Sequence, residues 1–149
     1  MKRTSYLKFT LMMSLSFITM YLVMFLNVDQ FSHIYFSLTR LYMTLLMVTP
    51  MAVMMILMMP KMYTHVKTNL IIISASVLFF VLALTGLRKQ VFISDVQYMK
   101  AMIPHHSSAI LTSESAKIQN PKVRKLADDI IKAQKQEIAE MKSLLEEIE

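Results

Sequence analysis

The chain has 149 residues, 55% of them hydrophobic, with a single glycine, no cysteine and a mean hydropathy of +0.47. That is too apolar and too continuous for an ordinary soluble domain, and it reads as a small membrane protein. The formal charge of +6 raises nucleic acid as a partner, but the basic residues flank apolar runs and do not form one basic face with aromatics, so no nucleic-acid binding is expected.

Three stretches, 7–26, 41–59 and 70–87, carry no charge except Lys8 near the start of the first, and reach the roughly 17–25 residues a helix needs to cross a bilayer. The first follows Lys2 and Arg3 as a signal peptide would. It is long, however, and no alanine precedes Ala52 to supply a small-residue cleavage site, so an uncleaved span is expected. Residues 27–40 form a polar and aromatic turn with Asp29, His33, Tyr35 and Phe36, and the turn at 60–69 carries Lys61 and Lys67. An amino terminus inside the cytoplasm leaves Lys2, Arg3, Lys8, Lys61 and Lys67 on that side, with Arg40, Arg88 and Lys89 outside. This modest bias predicts a cytoplasmic amino terminus and an external carboxy-terminal domain.

The second span has a methionine stripe. Met43, Met47, Met51, Met54, Met55, Met58 and Met62 project within about 120° of one another on a helix, with Met59 just beyond. Met13, Met20 and Met24 make a lesser stripe on the first span. Two readings stand, a packing face of flexible side chains or a ladder for a soft ion. Pro50 would kink the span under either.

Beyond Arg88 the composition becomes that of a soluble amphipathic unit, with eight basic and nine acidic residues over 90–149. Ser94 and Asp95 are candidate caps for a helix running to about Lys117, with Pro104 as a kink or a fresh start. Asn120 followed by Pro121 opens a second helix that runs to the chain end. Its stripe takes in Val123, Leu126, Ala127, Ile130, Ile131, Ile138, Met141, Leu144, Leu145 and Ile148, interrupted by Gln134 and Glu137. The expected fold is all-α, with a membrane region over 1–89 and an external helical hairpin over 90–149. Two helices bury one stripe only, so pairing with a second copy into a four-helix bundle, a homodimer or a larger homo-oligomer, is expected.

In an antiparallel hairpin, residues whose numbers sum to about 240 lie opposite one another, which sets Met99 across from Met141, Met102 near Glu137 and His106 near Gln134. His105 sits about 100° round from His106 and reaches only the rim. Thioethers and imidazoles in one helical seam suit a soft monovalent ion, Cu(I) or its analogue Ag(I). Zinc does not usually take methionine, and hard cations want oxygen. The plainer alternative is a packed seam in which Gln134 and Glu137 hydrogen-bond His106. No nucleophile sits beside a base, so catalysis is not expected.

The run Met99-Lys-Ala-Met102-Ile-Pro-His105-His106-Ser-Ser-Ala-Ile, with Asp95, Pro121-x-Val-Arg-x-Leu-Ala and Ile131-x-x-Gln134-x-x-Glu137-Ile-x-x-Met141, resembles the domain of unknown function 305 family. The membrane part resembles its membrane-anchored bacterial members in Asn27-Val-Asp29 and in the segment from Tyr42-Met43 to Met62-Tyr63. The resemblance implies a ferritin-like bundle, a bacterial inner membrane with a periplasmic or extracellular domain, and binding of copper or silver in metal tolerance. It implies Met99, Met102, His105, His106 and Met141 as ligands, with Glu137 as a further candidate, and a copper chaperone or exporter as a partner. The rivals are a membrane-anchored interaction module without metal and a subunit of a metal-dependent redox enzyme.

Overall fold

The computed structural model describes residues 2–148, with side chains from residue 5 onward. Among these residues the fold is five α-helices and one 3-10 turn without strands: α1 (Lys2–Val23), the 3-10 turn (Phe31–His33), α2 (Leu38–Met58), α3 (Val66–Lys89), α4 (Asp95–Ser115) and α5 (Pro121–Ile148). Three are long and apolar enough to cross a membrane, over Ser5–Val23, Leu38–Met58 and Val66–Lys89. The first span ends three residues before the expected 26. The second and third begin earlier than expected and take in Arg40, Lys67, Arg88 and Lys89 at their ends. Charge at a helix terminus does not stop backbone hydrogen bonding, so hydropathy marks the lipid-facing length and not the helix end.

The chain divides into two compact units. One holds α1 with Thr39–Phe92; the other holds Met24–Leu38 with the chain from Ile93 onward.

In the first unit, Phe9, Ala52, Ile56 and Tyr63 form a buried cluster, with Met55, Ile72 and Ile73 packed against it. The Phe9 and Tyr63 rings meet edge to face with centroids 5.6 Å apart. The turn before α3 is tied down by side chains: the Tyr6 hydroxyl donates to Asn69 Oδ1 at 2.7 Å, and Asn69 Nδ2 donates to the Tyr63 carbonyl at 2.7 Å. Gly86, the only glycine, lies on α3 against the Tyr42 ring of α2. A Cβ there would lie 2.9 Å from Cζ of Tyr42, whose hydroxyl donates to the Val91 carbonyl at 2.9 Å and so fixes the ring. The buried face of α2 is Arg40, Thr44, Val48, Thr49, Ala52 and Ile56. Met43, Met47, Met54 and Met58 are exposed, so most of the methionine stripe lies outside the helix packing of this unit.

In the second unit, α4 and α5 form the expected antiparallel hairpin. Ser94 caps α4 by accepting from the Gln97 N–H, and Asn120 Oδ1 accepts from the Lys122 and Val123 N–H groups to start α5 with Pro121 in its first turn. Pro104 neither breaks nor restarts α4, which runs through it with the ring fully buried. Arg124 Nη1 donates to the Ser113 carbonyl at 3.1 Å and closes the connection. The core is Met99, Ile103, Ile110, Ile138 and Leu145.

The segment between the first two spans is also part of this unit. The Asp29 N–H donates to Ser107 Oγ at 2.7 Å, Asn27 Nδ2 donates to Ser108 Oγ at 2.8 Å, and the Leu38 N–H donates to Gln97 Oε1 at 2.9 Å. Tyr35 packs on the hairpin core. The composition of 27–40 predicts only an interfacial turn. Three helices crossing a bilayer would put this segment and the hairpin on the same side of it, as their contacts require.

Candidate metal centre

An open cleft of about 810 Å³ runs between α4 and α5, lined by Met99, Met102 and His106 from one helix and Gln134, Glu137 and Met141 from the other. The helical repeat explains the grouping. Met99, Met102 and His106 follow one another at spacings of three and four on α4, and Gln134, Glu137 and Met141 do the same on α5. Met99 is buried at 7% exposure and belongs to the core, while Met102 and Met141 are half-buried at the cleft wall.

The pairing is offset by about one turn from the simple register. His106 meets Glu137, with Nδ1 3.4 Å from Oε2, and not Gln134. Gln134 Nε2 instead donates to the same Glu137 oxygen at 3.3 Å. The His106–Glu137 approach lacks hydrogen-bond geometry, so Nδ1 of His106 is a buried nitrogen with no hydrogen-bond partner among the described residues. Such an atom costs about 1–3 kcal/mol left alone. The plainer network, in which Gln134 and Glu137 hydrogen-bond His106, is therefore not made at Nδ1: the two residues bond each other and neither bonds that nitrogen.

Burial pushes the His106 pKa below its usual value and His105 adds to that effect, while Glu137 opposes it. The ring is accordingly neutral at pH 7, which leaves a lone pair free to ligate. Its side chain is 14% exposed and that of Glu137 is 50%, so the imidazole is held and the carboxylate is free to move. His105 is exposed and does not line the cleft, although its ring centroid lies 6.0 Å from that of His106. Among the described residues no three His, Cys, Asp or Glu side chains gather into a cage for a hard or borderline ion. A donor set fit for a metal here must draw on thioethers, and the cleft provides three.

Two residues outside the expected set support the cleft from behind. Ser107, next to His106, has no solvent exposure and lies 2.9 Å from Nδ1 of His33. His33 is itself buried, and burial together with Lys142 lowers its pKa against the opposing pull of Asp29. The signal for this pair lies in the three apolar runs, whose crossing of a membrane would leave the His33 segment and the hairpin on one side of it.

The family model for a domain of unknown function (DUF305) matches residues 95–149, the whole of the hairpin. The chain is also 41% identical over 140 residues to the uncharacterized protein L153 of Acanthamoeba polyphaga mimivirus, covering 92% of this chain and 90% of that one. Residues 95–149 are thus a DUF305 domain, and the chain as a whole belongs to one family with L153. The similarity to L153 spans nearly both proteins, so it takes in the apolar helices as well as the hairpin. No solved structure matches it.

Proposed function

We propose that this DUF305 protein is a membrane-anchored binder of a soft monovalent metal, Cu(I) with Ag(I) as its analogue, serving metal handling or tolerance and not catalysis. One observation carries the reading: three thioethers and a neutral imidazole with an unpaired Nδ1 face a single cleft. Thioethers and imidazole are the ligands that favour Cu(I), which needs only two to four of them. Met102, Met141 and His106 would hold the ion, with Met99 behind them. Glu137 would act as an outer partner that orients His106 or balances charge. His105, on the exposed side of α4, serves at most as a point of entry.

The spans anchor this unit, with the amino terminus on the cytoplasmic side and the hairpin on the other. The resemblance implies a bacterial inner membrane, whereas the relative described above is viral, so the proposal is made for a cellular membrane of that orientation. An external chaperone or exporter is the partner class that fits a half-open cleft from which the ion is passed on.

X-ray absorption of the Cu(I)-loaded full chain in detergent micelles tests the reading. A first shell containing sulfur is expected, reduced in Met102→Leu/Met141→Leu. A shell of nitrogen and oxygen only, unchanged in that variant, would remove the thioethers from the site.

A further inference from the structure

Only half of the apolar face of α5 is used. Ala127, Ile138 and Leu145 are buried against α4, while Val123, Leu126, Ile130, Leu144 and Ile148 are exposed. At 100° per residue these five fall within about 60° of one another, on the side of the helix next to the buried strip. The exposed strip therefore runs the length of α5 and passes along the lip of the cleft, where Leu144 and Ile148 already belong to its lining. A strip of this length on one helix needs a cover.

The charge along α5 says what that cover is. Residues 121–135 carry five basic and two acidic side chains, and residues 136–149 carry five acidic and one basic. A helix with one positive and one negative half is complementary to itself only when turned end for end. We propose that α5 packs antiparallel against α5 of a second copy of this chain, about a two-fold axis at the level of Gln134 and Glu137. Residues whose numbers sum to about 270 then face one another across the axis.

This register pairs apolar with apolar along the whole strip. Val123 meets the partner's Ile148, Leu126 meets the partner's Leu144, and Ile130 meets the partner's Met141. At the centre Glu137 meets the partner's Gln134, which gives the carboxylate an amide donor. A parallel pairing would match the same apolar positions but would set Glu137 against Glu137 and the basic half against the basic half, which costs stability. On the flank of the antiparallel strip Lys122 faces the partner's Glu147. One like-charge pair, Asp129 against the partner's Glu140, is the exception. The partner helix also roofs the cleft, placing its Ile130 and Gln134 over Met141 and Glu137 and excluding water from the imidazole. The inference stands on the face of α5 alone and does not depend on which ligand the cleft takes.

The native chain has no cysteine, so disulfide trapping reads the register directly. Two differently tagged full-length chains, Leu126→Cys and Leu144→Cys, are co-expressed in one membrane and oxidised with diamide with no metal added. Both sites are exposed, so the substitutions leave the fold intact. The mixed disulfide is expected to exceed either homodisulfide by roughly tenfold, and adding Asp129→Lys to both chains should raise its yield further. Homodisulfides as abundant as the mixed species would overturn the antiparallel register. Absence of any disulfide overturns the dimer, with free reaction of both thiols toward a soluble maleimide marking a bare face and protection marking another occupant such as a lipid surface.

Discussion

Ser107 Oγ, on a side chain without solvent exposure, accepts the Asp29 N–H at 2.7 Å and lies 2.9 Å from Nδ1 of His33. A residue beside the cleft histidine is thereby fastened to the segment that joins the first two spans. With His33 neutral and its proton on Nε2, the Ser107 hydroxyl donates to Nδ1 while its oxygen accepts from Asp29, and all three groups are satisfied.

Ser107→Ala should therefore leave a half-buried backbone N–H and a buried imidazole nitrogen without their partner. The expected loss is about 1–3 kcal/mol, read as a lower thermal midpoint for the second unit of the full chain in micelles. Ser108→Ala, which removes one exposed contact to Asn27, is the comparison and should cost less. Equal effects would mean that the Ser107 pair contributes nothing special.

The same pair makes stability depend on pH. An unfolded histidine titrates near 6.5, and burial holds both His33 and His106 below that value. Below about pH 6.5 the unfolded chain takes up protons that the folded chain resists, so stability is full above that pH and falls as the pH drops toward the folded values. The metal-free chain should have a lower thermal midpoint at about pH 5.5 than at about pH 8. His33→Asn, which keeps a polar group opposite Ser107 but does not titrate, should flatten that acid limb in part. A midpoint that stays level or rises on acidification would contradict the buried neutral state of these rings.

Much of this was legible in the sequence because it rests on local rules. The caps at Ser94 and Asn120, Pro121 at the start of α5 and the three apolar runs depend on neighbours within a few residues, and their placement follows. The cleft was legible from the three-and-four spacing of Met99, Met102 and His106 facing Gln134, Glu137 and Met141. What spacing does not carry is the axial offset between packed helices, so His106 meets Glu137 instead of Gln134. Nor does it carry tertiary partners distant in the chain, so His33 reads as part of a turn until Ser107 is found beside it. The buried Pro104 inside α4 is a third case, where tertiary packing overrides a local helix breaker.

Topology gives a further expectation. Contacts such as Asp29 with Ser107 require the 24–38 segment and the hairpin to share one side of any membrane the three apolar helices cross, and such a crossing would put the Thr64 turn on the other. Single cysteines at Ser32 and Ser143 should both react with a membrane-impermeant thiol reagent in intact spheroplasts, and one at Thr64 only after lysis. Labelling of Ser32→Cys and Ser143→Cys on opposite sides would break the second unit apart. Labelling of both only after lysis would put the cleft in the cytoplasm and remove a role at the outer face.

The most direct test of the metal centre is a competition titration of the full chain in detergent micelles, with Cu(I) against a competing chelator and Zn(II) measured alongside. Tight Cu(I) binding is expected, with much weaker Zn(II) binding, and Met102→Leu/Met141→Leu should lose at least about tenfold in Cu(I) affinity because leucine preserves the volume and removes the soft donor. Zinc bound as tightly as Cu(I), or a double variant that binds Cu(I) as well as the native chain, would contradict the thioether site.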